Sequence, residues 1–255
     1  MMMKNKTAFI FPAFITDFTG HELEFLKENS VNINSYLQRI SKKLNIDLPS
    51  FSYNSTIYID NELYSQLLAY AFSCAIFDVL QKEILSNYIA GYSMGIYASL
   101  YAANSITLED GADFIYTAYN ILSELAKTKK FGMGAIIGLP IKDVQYIIDE
   151  SNLEVEIINV NNEHSIVVAG KKEEIKIVLL KSKEEGAMST VELIVNTPYH
   201  SKHLMNFSDL FKNEIEKLKI NEAKIPIIST FDQRKIIKTC EIKAELLFNL
   251  HHSQR

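Results

Sequence analysis

The sequence predicts an α/β fold in which a parallel sheet carries an inserted lobe. A short apolar segment at 87–90 runs directly into Gly91, and a helical pattern follows at 94–103. Strand, glycine turn and helix in succession are typical of open α/β sheets. Between residues 133 and 195 the apolar pattern changes to a β-α-β-β-α-β order, which is the ferredoxin-like pattern.

The remaining elements follow from apolar periodicity and place the lobe inside the larger domain. The larger domain is predicted at 1–131 and 197–255, and the lobe at 132–196. Predicted elements of the larger domain are strands at 7–11 and 225–230 and helices at 64–82, 107–127, 203–218 and 243–250. Those of the lobe are strands at 135–139, 155–159, 165–170 and 188–195 and helices at 141–150 and 172–185. Gly132-Met133-Gly134 is interpreted as a linker, because a phosphate loop would continue into a lysine and a helix.

Composition excludes several function classes. A net charge of −5 and a pI near 5.7 give no basic field for nucleic acid. Cys74 and Cys240 are far apart, so we expect no disulfide framework and a reducing cytoplasm. The apolar run at 8–15 is short and contains Pro12, which favours a buried strand over a signal peptide. No apolar stretch approaches the roughly 20 residues that span a bilayer, so no membrane association is expected.

The segment Gly91-Tyr92-Ser93-Met94-Gly95 matches the nucleophile motif G-x-S-x-G. In this motif the serine occupies a sharp, strained turn between strand and helix, and side chains at the glycine positions would clash with neighbouring elements. The helix that follows presents free N–H groups, notably that of Met94, to a developing oxyanion. The motif therefore makes Ser93 the candidate nucleophile.

A serine needs a base, and His200 is the candidate. It follows Thr197-Pro198-Tyr199 at the end of the last predicted lobe strand, where the chain returns to the larger domain. An ordinary surface histidine is the equally weighted alternative. His200 and His203 lie three residues apart and His251-His252 are adjacent, but no aspartate or cysteine completes a ligand set, so no metal site is predicted.

In several short motifs the chain resembles the malonyl-CoA:acyl carrier protein transacylases and the acyltransferase domains of polyketide synthases. The resemblance runs from Ala8 to Arg255. The motifs that carry it are Phe11-Pro12, the Ser93 motif, Gly132-Met133-Gly134-Ala135-Ile136-Ile137-Gly138-Leu139, Val167-Val168-Ala169-Gly170 and Thr197-Pro198-Tyr199-His200-Ser201. It implies an α/β-hydrolase-like core with a ferredoxin-like lobe.

The resemblance also implies ping-pong acyl transfer in fatty-acid or polyketide synthesis in the cytoplasm. Ser93 takes an acyl group from a coenzyme A thioester, and a phosphopantetheine thiol on an acyl carrier protein removes it. Coenzyme A is a substrate here, and no cofactor is implied. His200 is the general base and acid, oriented by a backbone carbonyl near His252.

The same resemblance assigns the rest of the site. The N–H of Met94 and one near Phe14 form the oxyanion hole. Gln66 lines the pocket, and Tyr92 stands where the family usually has histidine. The arginine that pairs with a malonyl carboxylate falls on Ala118, beside Tyr119.

The departures from the family leave alternatives open. Ala13-Phe14-Ile15 replaces a glycine-rich first loop, and the chain stops at Arg255, where the family continues through another strand and helix. The malonyl group is the acyl group that the resemblance implies by default. Loss of the arginine makes an uncharged acyl group the simpler inference, with Lys127 as the alternative cation for a malonyl carboxylate. A hydrolase acting on acyl carrier proteins and a non-catalytic homologue that binds them are the alternative functions.

Overall fold

The computed structural model describes residues 6–13, 20–53, 56–128, 130–193, 195, 197 and 199–251, with the side chains of 125–128 and 251 not described. The chain divides into two compact units. The first is Met1–Tyr119 with Glu214–Glu245, and the second is Asn120–Asn213 with Leu246–Arg255.

The described residues form a mixed set of strands and helices. In chain order the strands are β1 (Ala8–Phe11), β2 (Tyr88–Gly91), β3 (Phe131–Ile137), β4 (Val155–Asn162), β5 (Ser165–Lys171), β6 (Ser189–Leu193), β7 (Ile227–Ile228) and β8 (Lys235–Ile236). The helices are α1 (His21–Glu28), α2 (Ile33–Leu44), α3 (Glu62–Leu80), α4 (Gly95–Ala102), α5 (Leu108–Thr128), α6 (Ile141–Ser151), α7 (Lys172–Glu184), α8 (Ser208–Lys217) and α9 (Thr239–His251), with a 3₁₀ helix at Lys202–Phe207.

The first unit is built on a sheet with the strand order β1-β2-β7-β8. β1 pairs parallel with β2, and β2 pairs parallel with β7, whereas β8 is antiparallel to β7. The carboxyl ends of β1, β2 and β7 therefore meet at one edge, where ligands bind in open α/β sheets. The prediction of a parallel sheet is confirmed.

Helix α3 packs on this sheet through aromatic contacts. The ring of Phe77 meets those of Phe9 and Phe11 edge-on, with centroids 5.3 and 5.9 Å apart. By length and composition alone α3 could cross a membrane, so the expectation that no segment could was too strict. Because 72% of its apolar window is buried inside the fold, α3 has the character of a core helix.

A polar network fastens α3 to its neighbouring helices. The Asp78 carboxylate accepts hydrogen bonds from the hydroxyls of Tyr36 on α2, at 2.5 Å, and Tyr101 on α4, at 2.8 Å. Burial, followed by this carboxylate, raises the pKa of both phenols, so both remain protonated donors.

The second unit contains the ferredoxin-like lobe. Its antiparallel sheet has the order β4-β5-β3-β6, and α6 and α7 complete the β-α-β-β-α-β connection. The core of the lobe contains the fully buried side chains Ile136, Ile166, Val168, Ile175 and Val178. The prediction of an α/β fold with a ferredoxin-like lobe is confirmed.

The second unit extends beyond the predicted lobe of 132–196, because the segments on either side of the lobe pack on it. The backbone N–H of Lys202 donates to Glu156 of β4 at 3.2 Å, and the rings of Phe131 and His203 lie 4.9 Å apart. Residues 120–131, 197–213 and 246–255 consequently belong to the second unit.

The interpretation of Gly132-Met133-Gly134 as a linker was wrong, since all three residues lie in β3. A Cβ placed on Gly134 would lie 2.9 Å from a methyl group of Leu179 and 3.2 Å from one of Ile175. Glycine at this position lets α7 approach the sheet closely. Helices α1 and α2, which the sequence analysis did not assign, precede α3.

The lobe core predicts a contrast between neighbouring positions of β3. Ile136 is fully buried, whereas Ile137 is 42% exposed on the opposite face. Ile136→Ala should lower the free energy of unfolding of the second unit by about 2–5 kcal/mol through lost burial and a residual cavity. Ile137→Ala is the control and should change it by well under half of that amount. Hydrogen exchange of the β3 and β5 amides measures both, and equal effects would contradict the assigned strand faces.

Candidate active site

Ser93 occupies a tight turn between β2 and α4. Its φ of 53° is left-handed, a conformation that costs a non-glycine residue of order 1–3 kcal/mol. The turn is held by backbone hydrogen bonds from Tyr92 N–H to the Phe11 carbonyl and from Ile96 N–H to the Ser93 carbonyl, at 2.9 and 3.1 Å. This is the strained strand–turn–helix geometry that presents a nucleophilic serine.

The two glycines of the motif are required by close backbone approach. A Cβ on Gly91 would lie 2.3 Å from the carbonyl carbon and oxygen of Gly95, and one on Gly95 would lie 2.2 Å from the Phe11 carbonyl oxygen. Real Cβ atoms do not approach backbone so closely. The start of α4 therefore crosses the ends of β1 and β2 only because both positions lack side chains.

The N–H of Met94, at the N-cap of α4, is suited to stabilise an oxyanion. The N–H groups of Gly95, Ile96 and Tyr97 all donate to carbonyls of the turn before them. In the described part of the chain the Met94 N–H has no such partner, and the first turn of α4 carries no acidic residue. The helix dipole reinforces its attraction for negative charge. Phe14, the other predicted oxyanion-hole residue, lies outside the described residues.

A small cleft opens beside this N–H. Within the first unit it is lined by Pro12, Ala13, Gln66, Ala69, Tyr70, Ser73, Met94, Gly95 and Ala98. The structure thus brings together two predicted site residues, Gln66 and Met94. Gln66 is 3% exposed, and its amide donates to the carboxylate of Glu62 at 3.4 Å.

The other predicted substrate-binding residues do not line this cleft. Tyr92 is exposed at the turn. Ala118 is buried on α5, and its neighbour Tyr119 is partly buried, which raises the pKa of its phenol. Lys127, the suggested substitute cation, lies in α5, but its side chain is outside the described set.

The edge of the sheet next to Ser93 is fixed by a buried carboxylate. The register pairs Ala90 of β2 with Ile228, the last residue of β7, and Ser229 follows directly. Glu245 of α9, 2% exposed, accepts hydrogen bonds from the Ser229 hydroxyl and the Thr230 N–H, at 2.9 and 3.0 Å. Burial raises the pKa of Glu245, while these two donors oppose the shift. The loop after β7 is therefore anchored to α9.

His200 lies in the second unit, in a second strained turn. Its φ is 59° and it is 4% exposed. Its backbone N–H donates to the Leu250 carbonyl at 3.2 Å, and its ring is hydrogen-bonded to the backbone of Asn249. The alternative of a surface histidine is wrong, since the side chain is buried.

Burial lowers the pKa of His200 to about 4, and the hydrogen bond with Asn249 opposes this shift. The imidazole is therefore neutral at pH 7, as a general base must be. A carbonyl that accepts from one ring nitrogen fixes the tautomer and makes the other nitrogen the acceptor of a proton.

In the described residues the backbone of Asn249 is hydrogen-bonded to the His200 ring. His252, near which the orienting carbonyl was predicted, lies outside the described residues, so that assignment stays a prediction. Asn249 precedes His252 by three residues in the sequence. No side-chain signal marks a backbone carbonyl, and this is why sequence reasoning missed it. The cleft, by contrast, could have been found from the sequence, since its lining residues Gln66, Ala69 and Ser73 follow helical spacing on α3.

The sequence profile of the acyl transferase domain matches residues 65–250, which include Ser93, His200 and Asn249. This chain belongs to the acyl transferase domain family. A curated relative, the malonyl CoA-acyl carrier protein transacylase of Buchnera aphidicola subsp. Baizongia pistaciae, is 31% identical over 174 residues. That match covers 66% of this chain and 55% of the relative, so the chain matches little more than half of the relative's length.

Solved structures share the fold of this acyl transferase domain. The malonyl CoA-acyl carrier protein transacylase of Coxiella burnetii superposes with a TM-score of 0.87 at 24% identity, covering 100% of this chain and 82% of that one. A malonyl-transacylase in complex with a type II polyketide synthase acyl-carrier protein also gives 0.87, at 21% identity, covering 98% and 82%.

The close approach at Gly95 predicts that the acyl transferase domain cannot accept a side chain there. Gly95→Ala forces α4 away from the Phe11 carbonyl and should remove the nucleophile from its turn, abolishing covalent labelling of Ser93 by a fluorophosphonate probe. Gly132→Ala is the matched control, because its Cβ meets only Lys172 at 3.5 Å or more. Intact mass spectrometry measures both, and a Gly95→Ala protein labelled at the normal rate would refute the geometry.

Proposed function

We propose that this chain is an acyltransferase that moves an acyl group from coenzyme A to an acyl carrier protein through an acyl-Ser93 intermediate. The observation that carries the proposal is the left-handed Ser93 at the start of α4, with the Met94 N–H beside it. That arrangement suits acyl chemistry, because it exposes a nucleophile next to a preorganised donor.

In the first half-reaction, His200 takes the proton from the Ser93 hydroxyl as its oxygen attacks the thioester carbonyl carbon. The Met94 N–H stabilises the tetrahedral oxyanion. The carbon–sulfur bond then breaks, and His200 returns the proton to the leaving coenzyme A thiolate, which leaves an ester on Ser93.

The second half-reaction runs the same steps with a different thiol. The phosphopantetheine thiol of the carrier protein gives its proton to His200 and attacks the ester carbonyl. Collapse of the intermediate breaks the carbon–oxygen bond, and Ser93 recovers the proton. No cofactor takes part, and we place the reaction in the cytoplasm, in fatty-acid or polyketide synthesis.

The partner follows from the relatives. The Buchnera protein is named for an acyl carrier protein, and one of the structural neighbours was solved with such a partner. The hydrolase alternative uses the same Ser93 and His200 with water as acceptor, and the assay below separates it by its product.

We further propose that the acyl group is uncharged. Arg39 is paired with Glu109 through two hydrogen bonds of 2.8 and 3.2 Å, and Arg234 is paired with Asp232 at 2.9 Å. Arg255, the third arginine of the sequence, lies outside the described residues. With Ala118 at the family's arginine position, a malonyl carboxylate loses water and gains no bidentate partner.

The nucleophile and base predict two distinct defects. Ser93→Ala should abolish acyl-enzyme formation from acyl-CoA, and His200→Ala should slow acylation by roughly 10²–10⁴-fold. His21→Ala, at an exposed site on α1, is the control and should behave as wild type. Intact mass and carrier-protein acylation measure these effects. A wild-type protein that is never acylated would support a non-catalytic role, and free acid in place of acyl carrier protein would support the hydrolase.

The substrate proposal predicts a change in selectivity. Wild type should be acylated by acetyl-CoA at least as fast as by malonyl-CoA, and Ala118→Arg should shift the ratio of the two rate constants towards malonyl-CoA. Ala112→Arg, on the same helix and also buried, controls for the insertion of a large cation. Single-turnover acylation measures the ratio, and a hundredfold malonyl preference in wild type would contradict the proposal.

A further inference from the structure

His200 is followed at once by a segment that a single acidic side chain fastens to the lobe. The Oε1 atom of Glu156 accepts the N–H of Lys202 at 3.2 Å, and the same oxygen faces His203 Nε2 at 4.0 Å. The side chains of Glu156 and His203 are 24% and 16% exposed. Glu156 thus accepts a hydrogen bond from the first residue of the 3₁₀ helix that begins two residues after His200, and its carboxylate lies near the second.

The sheet register explains why Glu156 is available for these contacts. Glu156 pairs with Ala169 of β5, and Ala169 pairs with Met133 of β3. Directly paired residues share one face of an antiparallel sheet, and this face also presents Phe131, two residues before Met133. Gly134 and Ile136 point to the other face, where α7 and the lobe core lie. The Glu156 face is therefore the one on which the His200 segment rests.

Packing on the same face supports the polar contact. The His203 ring lies 4.9 Å from the Phe131 ring, and Leu204 is fully buried. On its other side, the His200 turn is hydrogen-bonded to the Asn249 and Leu250 backbone at the end of α9. A residue in a strained backbone conformation persists only where its surroundings determine it from several directions. At His200 these are α9 on one side and Glu156 with Phe131 on the other.

We propose that Glu156 is a positioning residue for the catalytic imidazole: it fixes the 3₁₀ helix after His200 and so holds His200 in its left-handed turn. The proposal rests on the assignment of His200 as general base. It assigns Glu156 no contact with the substrate and no proton transfer.

The role predicts an effect on the environment of His200 as well as on the rate. Burial is the main cause that lowers the pKa of His200 to about 4. A loosened segment exposes the imidazole to water, so its pKa should rise towards the ordinary 6.5. Because a protonated imidazole cannot accept the serine proton, the acid limb of the acylation rate should then move to higher pH.

Single-turnover acylation by acetyl-CoA between pH 4 and 8 tests the proposal. Glu156→Ala should lower the rate constant at pH 7.5 at least tenfold and move the acid limb upwards by a unit or more. Glu156→Gln should have a smaller effect, since its amide oxygen can still accept the Lys202 N–H. Glu154→Gln is the matched control, because that carboxylate lies just before β4, is 66% exposed and forms a surface ion pair with Lys171. It should stay within twofold of wild type.

The outcomes separate this proposal from the proposed function. A single-turnover rate constant does not depend on the fraction of folded protein, so a purely structural role of Glu156 would lower thermal stability and leave the rate constant and the acid limb unchanged. That result would overturn the proposal. If Glu156→Ala fails to fold, Glu156→Val decides by the same two readouts, since its branched side chain suits a strand but offers the Lys202 N–H no acceptor. A wild-type protein without acylation, or a fully active His200→Ala protein, would instead overturn the proposed function.

Discussion

The contact between the start of α4 and the ends of β1 and β2 is the constraint on which the nucleophile depends. Gly95 lies so near the Phe11 carbonyl, and Gly91 so near Gly95, that no side chain fits at either position. This crossing forces the chain to reverse within the residues between the glycines, and Ser93 takes the left-handed conformation that the reversal requires. The same reversal leaves the Met94 N–H ahead of the hydrogen-bonded turns of α4. One backbone contact therefore produces both the exposed hydroxyl and the donor beside it.

Strain is distributed unevenly among the left-handed residues of the described chain. Non-glycine residues with positive φ are Ser30, Asn45, Ser93, Asn104, Asn152, His200 and Gln233. Asn45 and Asn152 cap the C-termini of α2 and α6, a position in which asparagine tolerates this conformation. Ser93 and His200 occupy no such cap. Each belongs to a different compact unit, and in each the surrounding hydrogen bonds offset the conformational cost.

The sequence predicted what depends on side-chain pattern. Apolar periodicity located α3, the lobe strands and α7 to within a few residues, and G-x-S-x-G located the nucleophile. Prediction from the sequence failed where contacts of the backbone, rather than of side chains, determine the structure. The glycines of β3 were interpreted as a linker, because the packing of α7 against Gly134 leaves no local trace. The strand predicted at 225–230 shortens to Ile227–Ile228, and after it the Thr230 N–H donates to the Glu245 carboxylate rather than to a neighbouring strand.

The histidine site shows the same limit. The residue type of His200 is visible in the sequence, whereas its partner is a carbonyl, which every residue carries. The family resemblance indicated a carbonyl near His252, whereas the described hydrogen bond of the ring is with Asn249. Glu156 gave no signal either, since a carboxylate at an edge strand of the sheet is ordinarily a solvated side chain. Only the fold of the His200 segment over the β4–β5–β3 face gives that carboxylate a role.

The neutral partner of His200 suits the chemistry proposed for it. A carboxylate partner would raise the imidazole pKa, whereas a carbonyl leaves burial dominant and the pKa near 4. Such an imidazole is a weak base towards serine but, once protonated, a strong acid towards a departing thiolate. In the proposed reaction, coenzyme A and the carrier protein carry the same phosphopantetheine thiol. The acid strength of the His200 imidazolium therefore suits both half-reactions equally. Because the base is weak, the attack by Ser93 depends more heavily on stabilisation of the oxyanion. That stabilisation comes from the Met94 N–H, which the crossing of α4 over β1 and β2 exposes.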